Sequence, residues 1–253
     1  MVIGRALFPR IMGWALPISA LGSRVETEPM RPRSFPREPG AVRTMHKLEE
    51  AAKRLAELRQ ERAQISAKRS TSDFTILDAL DKDIVEQERV VAALRGTPWA
   101  RAYDLGVRWR VSASPQCLVA RFEARIVFDA EFDMGLTAAG QPAGQDNATG
   151  VITIREWIEF RYGDPSDDYL STHPLYGAGL DYYQAHIVEN SVWLQEVCGR
   201  TRRPAVSGVN RMHVVLTFKP GIVECICGRI HAHCERRSVA TVAQANASEV
   251  WTE

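Results

Sequence analysis

The sequence lacks the motifs that most directly identify an enzyme. It contains no phosphate-binding glycine loop followed by Lys-Ser/Thr, no Gly-x-Gly-x-x-Gly, no Gly-x-Ser-x-Gly and no His-Glu-x-x-His. It also has no apolar run approaching the roughly 20 residues of a membrane-spanning helix. These absences exclude the enzyme classes that are easiest to recognise from sequence, and they predict that the chain has no membrane span. They leave open whether the protein is an enzyme.

Cysteine and net charge are also scarce. Five cysteines in 253 residues are too few, and odd in number, for a secreted disulfide scaffold, so reduced thiols in a cytoplasmic protein are the simpler interpretation. The formal net charge of +1 provides no global field that would favour nucleic acid or an anionic membrane. With 45% hydrophobic residues, the chain can bury a core. We therefore expect a folded cytoplasmic protein that does not bind nucleic acid.

Residues 1–44 differ in composition from the rest of the chain. They hold six of the thirteen prolines, and residues 11–22 form a short apolar run before Ser23. Three interpretations remain open: a signal or transit peptide, a disordered leader, or an extension upstream of a start at Met45. Pro17 within the apolar run weakens the secretory interpretation. We treat residues 1–44 as a disordered or non-structural leader.

Residues 45–97 carry two apolar seams with alternating intervals of three and four, which is the spacing of packed helices. The polar cluster at residues 70–73 can end one helix and cap the next. The pattern therefore predicts a coiled-coil-like antiparallel helical hairpin. Its seams are interrupted only at Arg62 and Gln87, and consist of Leu48, Ala51, Leu55, Leu58 and Ile65 in the first helix and Leu77, Leu80, Ile84, Val91 and Leu94 in the second.

The charges of the hairpin are mixed. Ten Lys or Arg residues balance ten Asp or Glu residues over 45–96, which is typical of solvated, salt-bridged helix faces. Two helices whose seams span only about three heptads are marginally stable alone, so we expect the hairpin to bury further apolar surface. We favour self-association or packing on the rest of the chain, with a docking arm for another protein partner as the alternative.

Residues 98–237 change to the alternating pattern of strands and predict a mainly antiparallel sheet with a few short helices. The fold class is therefore α+β: an N-terminal helical hairpin followed by this domain. Residues 238–253 are expected to form a flexible tail. The individual elements predicted are strands at 107–111, 118–128, 151–162, 213–218 and 222–230, a loop at 134–150, and two short helices within 174–197.

A cysteine and histidine cluster follows the last predicted turn. In one continuous strand, odd-numbered positions share a face, so thiol and imidazole groups would point the same way, and these are the ligands that zinc prefers. The alternative is that the cysteines are small core residues, because the spacing lacks the usual Cys-x-x-Cys interval. The candidate metal ligands are Cys225, Cys227, His231, His233 and Cys234, with His213 as a further candidate.

A second candidate site is acidic and aromatic. Residues 156–196 contain eight acidic residues and a single arginine, Arg161, together with eight aromatic residues. This composition indicates a groove for a cationic, sugar-like or peptide ligand. The alternative is that residues 200–237, which are basic, neutralise it while the aromatics build the core. The candidate ligand-binding residues are Trp157, Asp164, Asp167, Asp168, His173, Tyr176, Tyr183 and His186.

The sequence thus favours an interaction or assembly protein, in which the hairpin associates and the α+β domain binds a partner or a small ligand. The alternative is a metal-dependent enzyme or a zinc-stabilised domain that uses residues 225–234. No catalytic residue is predicted.

Overall fold

The computed structural model of the protein describes residues 39–68, 74–110, 113–120, 123–131, 147–200 and 210–250. They form an α+β fold, which confirms the predicted class: a helical hairpin precedes antiparallel sheets and short helices. Within these ranges, no helix has both the length and the hydropathy needed to cross a membrane.

The hairpin consists of α1 (Pro39–Lys68) and α2 (Phe74–Arg95). Helix α1 therefore begins six residues before the predicted position 45, at a proline, a residue well suited to the first turn of a helix. The seam between the helices buries Leu58, Leu80 and Ile84. Apolar burial along this seam is what makes two otherwise charged helices pack together.

The two interruptions of the seam make polar contacts across it. Arg62 of α1 donates a hydrogen bond to the carboxylate of Asp81 on α2. The amide Nε2 of Gln87 on α2 donates to the carbonyl oxygen of Ala51 at 3.0 Å. Both polar residues therefore join the helices at the positions where an apolar residue is missing.

Ten strands follow among the described residues, and every pairing is antiparallel. In the first sheet the order is β1–β7–β8–β9–β6; in the second it is β10–β5–β4–β2, with β3 also paired to β4. The strands are β1 (Trp99–Ala102), β2 (Arg108–Trp109), β3 (Gln116–Val119), β4 (Glu123–Glu131), β5 (Asn147–Arg155), β6 (Glu159–Gly163), β7 (Ala185–Glu189), β8 (Met212–Phe218), β9 (Gly221–Cys227) and β10 (Arg229–Glu235).

The main core lies between the inner faces of the two sheets. Trp109 and Phe128 of the second sheet meet Phe218 of the first, with ring centroids 5.0–5.8 Å apart. Alternate residues of β4, β8 and β9, among others, contribute to this core, as the pleat of a strand requires. Residues at the intervening positions consequently face outward.

The outer face of the first sheet is covered by residues 164–184, called the covering segment below. It includes a 3-10 helix at Asp167–Thr172 and is otherwise irregular. Three of its leucines, Leu170, Leu175 and Leu180, are buried in a second core with Ala100, Val188, Val215 and Ile222. The covering segment therefore buries the middle of this sheet face.

Three predicted elements between residues 118 and 197 are wrong. Residues 151–162 are not one strand, since they divide between β5 of the second sheet and β6 of the first. Residues 118–128 are not one strand: they belong to β3 and β4, which pair with each other. The first of the two helices predicted within 174–197 is also wrong. Residues 185–189 form β7, whose pairing with β1 and β8 outweighs the helical spacing, whereas the second helix is present as α3 (Val192–Arg200).

Residues 239–250 were predicted to belong to a flexible tail but form helix α4 (Val239–Val250). Its Val242 and Ala243 pack on the outer face of the second sheet, against Val127 and Val151. Arg125 of β4 adds hydrogen bonds of 2.6 Å to Asn246 and Glu249. The tail prediction failed because the partner surface for this short apolar stripe, at Val127 and Val151, lies far earlier in the chain.

Gly177 and Gly179 of the covering segment provide a matched pair for testing its packing. Both have positive φ, +78° and +85°, so alanine is strained at either position by about 1–2 kcal/mol. A Cβ at Gly179 would additionally collide with the carbonyl oxygen of Ala100 and the ring of Trp99, whereas one at Gly177 meets no atom within 4 Å.

We predict that Gly179→Ala lowers the free energy of unfolding by about 2 kcal/mol more than Gly177→Ala, because overpacking adds to the backbone strain. Urea unfolding followed by tryptophan fluorescence measures both variants. Equal losses would contradict the close approach of the covering segment to β1.

Candidate functional site

The predicted metal ligands are not brought together. Strand β9 ends at Cys227 in the first sheet and β10 begins at Arg229 in the second, so the chain does not continue as one strand. Cys225 and Cys227 are fully buried in the core between the sheets, whereas His231 and His233 are exposed on β10.

Cys234 is partly buried against the core from the opposite side of β10 to His233. Among the described residues, no three His, Cys, Asp or Glu side chains lie close enough to hold a metal ion. The core-packing interpretation therefore describes Cys225 and Cys227, and the hydrogen bond with the Cys227 thiol, together with burial, raises the pKa of Cys225 well above its ordinary value.

The structure brings together part of the predicted acidic aromatic site. The hydroxyl of Tyr183 donates to Asp167 at 2.5 Å, which raises the pKa of Tyr183 to about 12, and the backbone amide of Asp168 donates to the same carboxylate at 2.9 Å. Tyr182 lies beside Tyr183, with ring centroids 6.0 Å apart, and hydrogen-bonds Tyr176. These residues form a largely exposed surface on the covering segment.

The remaining predicted ligand residues lie elsewhere. Trp157 packs on Phe160 and donates its indole N–H to the carbonyl oxygen of Ala120 at 3.1 Å. Asp164 directly follows β6. His186 is fully buried on β7, where its Nε2 accepts the amide N–H of Asp181. His173 belongs to a different group of polar residues on the outer face of the first sheet.

That group, called the polar patch below, starts from His173 at the end of the 3-10 helix. The amide N–H of Leu175 donates to His173 Nδ1 at 3.2 Å, so the ring hydrogen is on Nε2. Nε2 then donates to Oε1 of Glu224 on β9 at 2.8 Å. This hydrogen bond lowers the pKa of Glu224 against the opposing effect of burial, and the side chain is only 15% exposed. An ionised carboxylate is thus held within a largely buried surface.

His213 on β8 is the second histidine of the polar patch. Its Nδ1 lies 2.8 Å from Oγ of Ser191, which also accepts the amide N–H of Leu194 and so caps α3. The Ser191 hydroxyl donates to Nδ1, which gives the hydroxyl and Nδ1 each a partner. The ring hydrogen of His213 is therefore on Nε2. His213 is 6% exposed, and its Nε2 has no hydrogen-bond partner among the described residues.

Arg161 and Trp193 form the edge of the polar patch. The guanidinium carbon of Arg161 lies 3.9 Å from the centroid of Trp193, and Trp193 contacts the ring of His213 edge-on at 4.9 Å. The indole N–H of Trp193 donates to Glu159 at 2.9 Å, and Arg200 donates to the same carboxylate at 2.7 Å. The polar patch consists of Arg161, His173, Ser191, Trp193, His213 and Glu224.

Its chemistry favours binding over nucleophilic catalysis. Ser191 is only 4% exposed, and its oxygen already caps a helix, so it is poorly placed as a nucleophile. The groups that remain able to contact a ligand are the Glu224 carboxylate and the Arg161 guanidinium, because the Nε2 of His213 is fully buried. The sequence indicated only His173 as a ligand residue and His213 as a metal ligand. The available signal was the presence of His213 and Glu224 in otherwise apolar strands.

Comparison with protein-family models, curated proteins and solved structures finds no match to this chain.

Two buried histidines make stability depend on pH. Burial lowers the pKa of both His186 and His213 to about 4. The unfolded chain takes up these protons near an ordinary histidine pKa of about 6.5, so stability is complete above that pH and decreases as the pH falls towards 4. For His213, the nearby Glu224 opposes this lowering, while Arg161 and His173 add to it.

We predict that lowering the pH from about 7.5 to about 5 reduces the free energy of unfolding by about 2 kcal/mol for each buried histidine. Urea unfolding at the two pH values measures the difference. The variant His213→Gln should lose about half of it, and His46→Gln, which alters an exposed histidine of α1, should keep it all. A difference unchanged by His213→Gln would contradict the burial of a neutral His213.

Alkylation tests the positions of the cysteines. In the native protein, iodoacetamide should modify the exposed Cys198 and spare Cys225 and Cys227, which are fully buried. A chelator should not change this pattern, because packing rather than a bound metal protects the two thiols. Peptide mass spectrometry after brief labelling measures how far each cysteine is modified. Modification of Cys225 or Cys227 on adding the chelator would show instead that a metal protects them.

Proposed function

We propose that this protein is an interaction protein that self-associates through its helical hairpin. The observation that carries the proposal is the arrangement of α1 and α2. They pack mainly on each other, and their contacts with the sheets are concentrated where α2 leads into β1. A helix of 30 residues is about 45 Å long, so the hairpin offers a long surface to another molecule.

Glu189 at the end of β7 fixes the base of the hairpin. Its carboxylate accepts two hydrogen bonds from Arg89 of α2, at 2.8 and 3.0 Å, and a third from Arg101 of β1 at 3.0 Å. The Arg89 pairing lowers the pKa of Glu189, so the carboxylate stays ionised. A paired guanidinium fork of this kind sets orientation as well as adding stability. The hairpin is therefore presented in a defined direction.

The hairpin exposes apolar side chains beyond its own seam. Met45 and Phe74 are 62% and 72% exposed, and Ile76 and Val85 are each 51% exposed. Single exposed apolar residues are ordinary, but several on one two-helix unit with a short seam favour further burial against a partner.

A groove of about 630 Å³ runs between the hairpin and the covering segment. Ala56 and Leu55 of α1 line it together with Val91 of α2, and Trp99 and Leu175 line it from the side of the sheet. Arg59 of α1 and Glu88 of α2, which are joined by an ion pair of 2.6 Å, also line it on the side of the hairpin. An apolar groove with a charged rim suits a helix as its occupant.

Charge supports a second copy of this chain as the partner. Helix α1 contains seven Lys or Arg and four Asp or Glu residues, whereas α2 contains three and five. Placing α1 of one copy beside α2 of another therefore brings opposite net charges together. A bundle of four helices is the ordinary way in which two hairpins bury their remaining apolar surface.

We predict that the full-length protein sediments with the mass of two 28.3 kDa chains. Ala56→Arg, which places a charge in the groove, should shift it to the monomer, because an unpaired buried charge weakens an interface by several kcal/mol. Sedimentation equilibrium over a range of concentrations measures this shift.

The matched control is Gln64→Arg, which adds the same charge at an exposed position of α1 outside the groove and should remain dimeric. A wild-type protein that stays monomeric at every concentration would contradict self-association. Equal dissociation of both variants would contradict the groove as the contact surface.

A further inference from the structure

The covering segment concentrates tyrosine and negative charge. Its residues, 164–184, hold four of the chain's six tyrosines and four aspartates, and they include no Lys or Arg. Tyr169, Tyr176 and Tyr182 are 66%, 46% and 39% exposed, although each ring could bury a large area. Exposed aromatic side chains grouped on one short segment are typical of a contact surface, whereas single scattered ones are ordinary.

Hydrogen bonds and ring contacts join several of these side chains into one surface. The hydroxyl of Tyr183 donates to Asp167 at 2.5 Å, and the ring of Tyr183 lies 6.0 Å from that of Tyr182. Tyr182 hydrogen-bonds Tyr176, and its amide N–H donates to Asp181 at 2.7 Å. The tyrosine–aspartate surface, as it is called below, consists of Asp167, Asp168, Tyr176, Asp181, Tyr182 and Tyr183.

The negative charge of this surface is not balanced nearby. Partial burial, the hydrogen bond with Tyr176 and the charges of Asp167 and Asp181 raise the pKa of Tyr182. No Lys or Arg of the described chain affects the pKa of Tyr182 or of Tyr183. Lys219 contacts the surface through its backbone carbonyl oxygen, which accepts the amide N–H of Asp167 at 3.0 Å. Charge complementarity therefore requires a partner that is positively charged.

Tyr183 connects the tyrosine–aspartate surface to a cleft of about 480 Å³. Tyr103 also lines this cleft, together with two carboxylates, Asp104 and Glu131, and one guanidinium, that of Arg108, which has an interaction of its own. Aromatic rings and an excess of negative charge thus continue beyond Tyr183. A surface of this extent can contact several residues of a peptide.

We propose that the tyrosine–aspartate surface binds an arginine-rich segment of another protein. Guanidinium groups of the partner lie over the exposed rings of Tyr176 and Tyr182 and donate to the carboxylates of Asp168 and Asp181. A guanidinium group is planar, so it stacks on an aromatic ring and also forms paired hydrogen bonds with a carboxylate, which a lysine ammonium group cannot do. The proposal is independent of self-association through the hairpin.

The same features disfavour other occupants. Nucleic acid and anionic membranes are repelled by the carboxylates. A metal ion is disfavoured because, in the described ranges, no three His, Cys, Asp or Glu side chains lie close enough together to hold one. An uncharged apolar partner would remove Asp168 and Asp181 from water without giving either carboxylate a compensating contact.

The test is a titration of the full-length protein into a dye-labelled peptide of alternating arginine and glycine, followed by fluorescence anisotropy. The comparison peptide has lysine at every arginine position and therefore the same net charge. We expect the arginine peptide to bind and the lysine peptide to bind at least about threefold more weakly, because it loses the stacking and the paired hydrogen bonds.

Variants assign the contacts. Tyr176→Ser combined with Tyr182→Ser should weaken binding of the arginine peptide at least about fivefold, because both stacking rings are removed. Asp168→Asn should weaken it about threefold. Asp168 is exposed, so this variant tests the proposal even if the double variant does not fold. The matched control is Tyr162→Ser, which removes a tyrosine of β6 that is 49% exposed and lies beside Cys117 of β3, and which should bind as the wild type does.

Four results would overturn the proposal. The arginine peptide does not bind at any protein concentration reached, or the lysine peptide binds equally tightly. Asp168→Asn and the folded double variant both bind as the wild type does, or Tyr162→Ser weakens binding as much as the double variant. Each result concerns the tyrosine–aspartate surface alone, because the oligomeric state is measured separately.

Discussion

Face-to-face packing of the two antiparallel sheets is the constraint on which the rest of the structure depends. The contact of Phe128 with Trp109 and Phe218 requires one face of each sheet to be apolar, and the pleat then sends every second side chain to the outer face. Phe128 also explains why Gly150 lies beside it on β5, because a Cβ there would come within 2.5 Å of the phenyl ring. Ring packing therefore fixes both the spacing of the sheets and the residues that surround it.

The outer face of the first sheet shows the consequence of this constraint. The covering segment buries the apolar part of that face through its leucines, and the same face carries the buried side chains of His186 and His213 and the largely buried Glu224. Buried polar groups need partners, and Glu224 and one nitrogen of His213 obtain them from His173 and Ser191. The polar patch is thus a product of covering a mixed sheet face with an irregular segment.

Local pattern was enough to predict the hairpin, because its seam repeats at short intervals within each helix and its interruptions lie in the same register. The alternating pattern likewise identified β8 from residues 213–218, and it identified β9 within the strand predicted at 222–230. It could not reveal that Gly228 separates two strands of different sheets, and so it placed Cys225 and His231 on one surface. The polar patch was inaccessible for a similar reason: Arg161, Ser191 and Glu224 come from three strands or strand ends, and only the sheet order makes them neighbours.

The hairpin and the polar patch are joined through one short stretch of chain. Glu189 accepts hydrogen bonds from Arg89 of the hairpin. The side-chain amide of Asn190 donates to the carbonyl oxygen of Thr97 at 3.3 Å, and the hydroxyl of Ser191 hydrogen-bonds Nδ1 of His213. Asn190 has a φ of +52°, a conformation that asparagine tolerates better than most residues, and it turns the chain from β7 into the cap of α3. The orientation of the hairpin and the position of His213 therefore depend on three consecutive residues, so the two surfaces are connected by hydrogen bonds and an ion pair as well as by the backbone.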